Sequence, residues 1–239
     1  MGPRDDRDPH GLPARTAQSD RLGARIARAF ENFNPQGAHN ALDEAFACMS
    51  IDAALSEIVL PYLQGIQAGP VRTASAIAQV EFSSSLLETR LLGLASGWDS
   101  GGSPTVVIAY LGHDRGILGA IAFGLALRDR GWRICYLGAS ASAALAAETA
   151  QAAGALVVAL AAHDTADFTD AGAALRQLDA ARHVVLTGPG ATAAAARRLR
   201  ADLLPRHPVA AARELHRRHG SRRFPPLRGT RPGDVGAPT

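Results

Sequence analysis

The pattern of hydrophobic and polar positions changes once along the chain, close to residue 100. From Ser19 to Trp98 apolar residues recur with the helical period, and turn or capping residues interrupt the pattern at NFNPQG, CMS and QAGP. This part of the chain therefore predicts four helices, and short connections between them favour an antiparallel bundle. The expected helices span 20–33, 37–48, 51–67 and 71–97.

After the linker WDSGGSP, buried strands are expected to alternate with helices. Continuous apolar runs such as PTVVIAY and ALVVALA lack polar alternation, which is typical of parallel strands covered on both faces. We predict a doubly wound α/β domain with a five-stranded parallel sheet over residues 104–218. The expected strands are PTVVIAY, RICYLG, ALVVALA, HVVLTGP and a short one near ADLLP, and the helices span 115–130, 142–153, 167–179, 191–200 and 208–218.

The two ends of the chain differ from the rest in composition. Residues 1–18 are rich in Pro, Arg and Asp, and residues 219–239 form a basic tail, so we expect both to be disordered. Segment 19–98 is then a four-helix cap and segment 104–218 an α/β domain. Because the chain has no apolar leader and no long apolar run, we expect a cytoplasmic protein without membrane contact.

Composition argues against several kinds of chemistry. Hydrophobic residues make up 47% of the chain and aromatic residues 5%, and alanine runs predict closely packed helices. All 25 basic residues are arginine, which excludes a P-loop NTPase because that motif needs a lysine. Cys48 and Cys135 have no Cys-x-x-Cys partner spacing, so neither structural zinc nor a disulfide framework is expected. A Gly-x-Ser-x-Gly elbow is also missing, and we expect no enzymatic activity.

The loop GHDRGILG, which follows the first predicted strand, carries the candidate chemistry. Open parallel sheets bind ligands beyond the carboxyl ends of their strands, where the strand order reverses. Gly112, Gly116 and Gly119 let the backbone approach a ligand closely, and a helix begins there with its positive end. Plain strand-to-helix turns also use such glycines, so the spacing alone leaves a purely structural role open.

On these residues the chain resembles the cobalamin-binding module of B12-dependent photoreceptor regulators (CarH/LitR-like) and of methionine synthase. The resemblance covers residues 20–218 and is densest over 104–139. In that family the loop reads Asp/Glu-x-His-x-x-Gly, and the histidine binds cobalt from below while the acid orients it. Asp114 and Gly119 match this motif, but Gly116 occupies the histidine position. The resemblance therefore implies a cobalamin site from which the usual cobalt ligand has been lost.

Another residue of the loop is a candidate for the missing ligand. His113 immediately precedes Asp114, and imidazole is the commonest metal-binding side chain. A shift of three residues moves it by up to about 10 Å in an extended chain, so it reaches the family position only if the loop path changes. We keep His113 as a metal ligand candidate, with a solvated loop residue as the alternative.

The resemblance also assigns positions on the fourth helix. Light-sensing members carry a Trp and a Glu-His pair over the upper face of the corrin, where this chain has Pro70, Val80 and Glu81. Ala78 shares a helix face with Glu81 and leaves room for a flat ligand, together with Ala74 and Ser85. Close packing of helices explains the same small residues, so that reading stays open.

Two further positions follow the later strands. Gly188 and Gly190 in TGPGA resemble the glycine pair that lines the channel for the nucleotide tail of cobalamin, although a plain turn explains them equally well. His163 and Asp164 come just after the third strand, where the family often has a polar residue. We expect His163 to be a loop residue.

Together these features predict a sensory or regulatory module that binds cobalamin in a non-standard mode and acts through a protein partner, a transcription regulator. Haem or no ligand are the alternatives for the cofactor. The rival function is a corrinoid carrier subunit of a methyltransferase system, against which Gly116 counts because a carrier controls cobalt from below. The residues before the first helix leave no room for a helix-turn-helix domain, so we expect no sequence-specific binding of nucleic acid by this chain. A homo-oligomer remains open.

Overall fold

Five helices form the N-terminal half of the protein. The computed structural model describes residues 11–68, 73–98, 104–113, 116–176, 178 and 182–220. Side-chain caps start three of the helices: Asn34, Ser50 and Thr73 each accept a hydrogen bond from a backbone N–H three residues later. The helices are α1 (Gly11–Glu31), α2 (Pro35–Cys48), α3 (Ile51–Ala54), α4 (Leu60–Ala68) and α5 (Ala74–Gly93).

A π-helical turn over Leu55–Val59 joins α3 to α4, so the two form one continuous helix where one was predicted. Pro61 accounts for the irregular turn. Proline has no N–H to donate, and in a regular α-helix its ring collides with the carbonyl four residues earlier, here that of Glu57. A wider turn relieves this collision. The predicted helix over 71–97 is shorter in the structure, because α5 begins after the cap Thr73 and ends at Gly93.

Helix α1 begins earlier than the sequence analysis expected. Residues 11–18 are helical, so the prediction of disorder up to residue 18 is wrong for them. Pro13 lies in the first turn, where its missing N–H costs no intrahelical hydrogen bond. Ser19 and Leu22 are buried, so the helix already packs on the protein at this point. Residues 1–10 lie outside the described part of the chain.

The C-terminal half is a five-stranded sheet in which every pair is parallel, and the strand order is β2-β1-β3-β4-β5. In register, Val106 of β1 pairs with Ile134 of β2 and Val157 of β3. The predicted α/β class and the five parallel strands are confirmed. The strands are β1 (Thr105–Tyr110), β2 (Arg133–Tyr136), β3 (Val157–Ala161), β4 (His183–Thr187) and β5 (Asp202–Leu203).

Five helices connect and cover these strands. Helix α6 packs against α10, whereas α7 contacts α8 and α8 contacts α9. The predicted helix over 167–179 divides into a short 3-10 turn, Thr165–Phe168, and a single α-helical stretch. The helices are α6 (Ile117–Arg128), α7 (Ala143–Ala152), α8 (Ala171–Leu175), α9 (Ala193–Leu199) and α10 (Pro208–His219).

The end of α10 also differs from the prediction. His219, expected to open the disordered tail, is helical and 6% exposed, because the last turn of the helix packs against the start of β4. Residues 221–239 lie outside the described part of the chain.

Successive side chains of β1 point to opposite faces of the sheet, so its apolar residues belong to two different cores. Val106, Ile108 and Tyr110 belong to a core that also contains α6, α10 and the helical half. Val107 and Ala109 belong to a second core, formed with α7, α8 and α9. The helical half thus packs on one face of the sheet, the face covered by α6 and α10. No described helix is long and apolar enough to cross a membrane.

Candidate functional site

A partly open cleft of about 120 Å³ lies at the carboxyl ends of β1, β3 and β4, against α4. The strand order reverses between β1 and β3, which is where open α/β sheets bind ligands. Apolar side chains form most of its walls. The helical half contributes Leu60 and Leu63, α6 contributes Leu118, the loop after β4 contributes Pro189 and the start of α10 contributes Pro208.

Glycines bring the backbone to the surface of the cleft. Gly116 lies at the start of α6 and gives that helix no side-chain cap. A Cβ atom built on Gly119 meets only Pro208 within 4 Å, at 3.7 Å, so there is room for a small side chain at this point of the cleft wall. The structure places both predicted residues in the cleft. Asp114, the acid of the family motif, lies outside the described residues.

The glycines after β4 have a structural requirement of their own. Gly188 lines the cleft with φ at +91°, and a Cβ there would lie 2.6 Å from the carbonyl oxygen of Ala162. A Cβ on Gly190 would lie 2.4 Å from the carbonyl carbon of Asp164. The loops after β3 and β4 therefore touch through their backbones, and only glycine permits the contact. Gly190 supports the cleft wall and is not among the residues that line it.

Five polar side chains of the described residues line the cleft: Gln64, Tyr110, His163, Thr187 and Arg206. Thr187 is buried, His163 is half-buried and Arg206 is exposed at the mouth. Within the described ranges no carboxylate lines the cleft, and Arg206 forms no ion pair. The cleft is therefore an apolar space with a cation at its mouth and an imidazole in its wall. Sequence analysis did not single out Arg206, although it follows the last strand.

A second hollow, which we call the outer groove, is lined by residues of the core on the other face of the sheet. It is open and larger, about 520 Å³, and its polar residues include His113, Ser140, Asp167 and Asp170. The Nδ1 atom of His113 lies 2.6 Å from the hydroxyl oxygen of Ser140. His113, the predicted metal ligand candidate, thus lines the outer groove and not the cleft. In the described part of the chain no cluster of three His, Cys, Asp or Glu side chains is arranged to hold a metal ion.

The predicted positions on α5 lie apart from both hollows. Ala78 and Glu81 are exposed on the N-terminal half of this helix, and neither lines the cleft or the outer groove. Val80 is half-buried, and Pro70 lies outside the described residues. A contact between α5 and a ligand stays a prediction.

An ionic contact joins the helical half to the sheet domain. Asp52 of α3 accepts hydrogen bonds from Arg130, at 3.0 Å, and from Arg213 of α10, at 3.0 Å. The side chains of Asp52 and Arg130 are 13% and 17% exposed. The hydrogen bond from Arg130 lowers the pKa of Asp52 below its usual value, although burial acts in the opposite direction. Both charges are thus paired where the two halves meet.

The fold is similar to that of a solved corrinoid protein. The Methanosarcina barkeri monomethylamine corrinoid protein is 14% identical, with 82% of this chain and 98% of that chain covered and a TM-score of 0.65. A cobalamin-binding protein from Desulfitobacterium hafniense DCB-2 is 17% identical over 82% of this chain and 97% of its own, with a TM-score of 0.44. A chain of the methanol:cobalamin methyltransferase complex MtaBC from Methanosarcina barkeri is 15% identical, with 85% of this chain and 81% of that chain covered and a TM-score of 0.44.

At these identities the likeness shows the fold. Neither a protein-family model nor a curated protein matches the sequence.

The cleft fits part of what a metal tetrapyrrole requires. Its apolar walls and the bare backbone at Gly119 suit the flat face or a substituent of such a ring. Gly116 supplies no lone pair, but His163 brings an imidazole to the same space. The present volume of 120 Å³ is well below the ~300–1,000 Å³ of typical ligand sites, so the cleft as it stands does not admit a whole ring.

Proposed function

We propose that this chain is a ligand-binding regulatory module without catalytic activity of its own, which takes a metal tetrapyrrole at the cleft and acts through a protein partner. Cobalamin is the proposed ligand, and haem is the alternative. The observation that carries the proposal is the apolar cleft at the strand-order reversal, which helix α4 borders; we propose that α4 moves when a ligand enters. The fold shared with a corrinoid protein supports it.

The regulatory part of the proposal follows from the position of α4 beside the cleft. Because α4 is continuous with α3, a ligand that displaces α4 also strains the Asp52 contacts with Arg130 and Arg213. Ligand binding then changes the surface that the helical half presents, which is what a partner would sense. We propose a cytoplasmic transcription regulator as that partner. A tetrapyrrole metal, when bound, would supply light or redox responsiveness.

A corrinoid carrier of a methyltransferase system is the second candidate. The likeness in fold to the monomethylamine corrinoid protein favours it. Gly116 opposes it, because glycine cannot hold cobalt from below where carriers need that control. The two functions share the cleft and differ in what the bound group does.

The test begins with purified full-length protein incubated separately with hydroxocobalamin, adenosylcobalamin and haemin. After gel filtration we expect one of the three to be retained in near-equal molar amount, with a visible spectrum that differs from the free compound. A protein that stays colourless with all three contradicts the proposal. Retained corrinoid with a light-dependent change of oligomeric state supports the regulator, whereas methyl exchange with a partner methyltransferase supports the carrier.

A further inference from the structure

Among the described residues lining the cleft, only one side chain has a nitrogen lone pair to offer a metal. Gln64 carries its nitrogen as an amide NH₂, and the guanidinium of Arg206 stays protonated, so both nitrogens act only as hydrogen-bond donors. His163 carries an imidazole, which binds metals in its neutral form. Any nitrogen ligation from the described lining of the cleft therefore has to come from His163.

Of the other imidazoles in the described ranges, those of His39 and His207 do not line the cleft, and the remaining four are engaged elsewhere. His113 is hydrogen-bonded to Ser140 in the outer groove. His216 accepts a hydrogen bond from the indole Nε1 of Trp132 at 3.2 Å. His183 and His219 pack ring against ring, with centroids 4.3 Å apart.

His163 differs from them, since within the described structure its ring makes no hydrogen bond and no ion pair. Ligation by this ring breaks no existing contact.

The backbone that carries His163 is firmly held. The N–H of Gly190 donates to the carbonyl of Ala162 at 3.1 Å, and the hydroxyl of Thr165 donates to the carbonyl of Gly190 at 2.9 Å. These bonds lie on either side of His163 in the chain and tie its loop to the loop after β4. A ligand on a fixed backbone loses less entropy on binding than one on a mobile loop.

The missing side chain at Gly116 also favours His163 as the ligand. Position 116 starts α6 with no side chain, so nothing from this point competes for the space in front of the imidazole. We infer that His163 is the residue of this chain that ligates the metal of a tetrapyrrole bound in the cleft. The inference rests on the proposed function, and it concerns cobalt in a corrin or iron in a porphyrin alike.

The decisive experiment uses electron paramagnetic resonance of full-length protein labelled with ¹⁵N-histidine and loaded with hydroxocobalamin that is then reduced to the cobalt(II) state. A ¹⁵N ligand splits the cobalt lines into doublets, whereas the unlabelled base of the cofactor itself gives triplets. We expect doublets for the wild type, loss of doublets in His163→Gln, and doublets in the matched control His113→Gln. The same variants loaded with haemin test whether His163 binds iron, and the visible spectrum is the measurement.

A second measurement separates ligation from a structural role of the side chain. Added imidazole should restore the wild-type visible spectrum to His163→Gly, and affinity for the tetrapyrrole should fall at least about tenfold in His163→Gln. Triplets in the labelled wild type, or doublets that persist in His163→Gln, would overturn the inference and leave the proposed function intact. Failure of the wild type to retain either tetrapyrrole overturns the proposed function and the inference with it.

Discussion

The cleft and the outer groove lie at the same edge of one sheet, but they differ in enclosure and in chemistry. The cleft is small, apolar and bordered by α4, and its imidazole is uncommitted within the described structure. The outer groove is open and lined by Asp167 and Asp170, and its imidazole is held by Ser140. Low polarity and enclosure strengthen each polar contact with a ligand, so the cleft is the better binding site despite its smaller volume.

The sequence order of the two histidines explains which hollow each one lines. Tyr110 is the last residue of β1 and its side chain faces the core under the helical half, whereas Leu111 packs against the opposite core. His113 lies on the same side as Leu111 and lines the outer groove, whereas His163, which follows β3, lines the cleft. A histidine near the motif position in sequence is therefore on the wrong face of the sheet, and one about fifty residues away in the chain is on the right one.

The largest effect is expected from filling the cleft itself. Gly119→Phe adds a large ring to a residue that lines the cleft, and we expect retention of tetrapyrrole to fall about 100-fold, roughly 2.7 kcal/mol. Gly119→Ala adds only an ordinary contact with Pro208 and serves as the tolerated variant. Ala144→Phe in the outer groove is the matched control and should retain ligand normally. Equal loss in both Phe variants, measured by gel filtration, would mean that the cleft is not the binding site.

The next effect concerns the ionic contact of Asp52 between the two halves. Asp52→Asn removes a largely buried carboxylate from Arg130 and Arg213, and we expect the free energy of unfolding to fall by about 2 kcal/mol in urea titrations. Glu44→Gln, which breaks the exposed pair with Arg25, is the control and should cost a few tenths of that amount. Similar costs for both variants would contradict a special role for Asp52.

Acid provides a second test of the same contact. The pKa of Asp52 is lowered in the folded protein, so its stabilising contribution is complete above the unfolded value near ~3.9 and is lost as the pH falls below it. The difference between wild type and Asp52→Asn should therefore be constant from pH 7 to 5 and shrink below about pH 4. If the stability difference between wild type and Asp52→Asn instead grows as the pH falls, the pKa of Asp52 is not lowered in the folded protein.

A smaller effect is expected at the mouth of the cleft. Arg206 forms no ion pair within the described structure, and a phosphate or carboxylate on the ligand would give it a partner. Because the site is exposed, Arg206→Gln should weaken binding only about threefold to tenfold, and added salt should reduce that difference. Arg197→Gln, on an exposed part of α9, is the charge-matched control. Titration of the visible spectrum measures both, and an equal loss in the control would show a general charge effect.

The smallest effect is expected in the outer groove. His113→Gln leaves the cleft untouched, so affinity for cobalamin or haemin should change less than about twofold. Spectroscopic titration against the wild type provides the measurement. A loss of tenfold or more would instead support His113 as the metal ligand that its place in the sequence suggests.

The sequence predicts the sheet domain well because unbroken β-branched runs and intervening helices leave few alternatives. Gly116, Gly119 and Gly188 were also predicted at the carboxyl edge and do line the cleft. Residues 11–18 and the π turn before Pro61 were missed, since helix entry at Pro13 and accommodation of a mid-helix proline depend on tertiary packing.

The cleft side chains were harder to predict than its glycines. The position of His163 depends on the face of the sheet toward which the loop after β3 turns. Ala78 and Glu81 lie on a part of α5 whose apolar periodicity is too weak to predict which side of the helix is buried. Arg206 is brought to the cleft from the end of the chain by β5 and α10, which no local pattern reveals.

The core beneath the helical half has a consequence for cooperativity. Phe30 and Leu87 of the helices belong to the same continuous cluster as Ile121 and Trp132 of the sheet domain, and all four are almost fully buried. Unfolding of either half therefore exposes the apolar surface that it buries in this shared core. Heating should therefore unfold the protein in a single calorimetric transition. A fragment of either half expressed alone should aggregate, because it exposes this apolar surface.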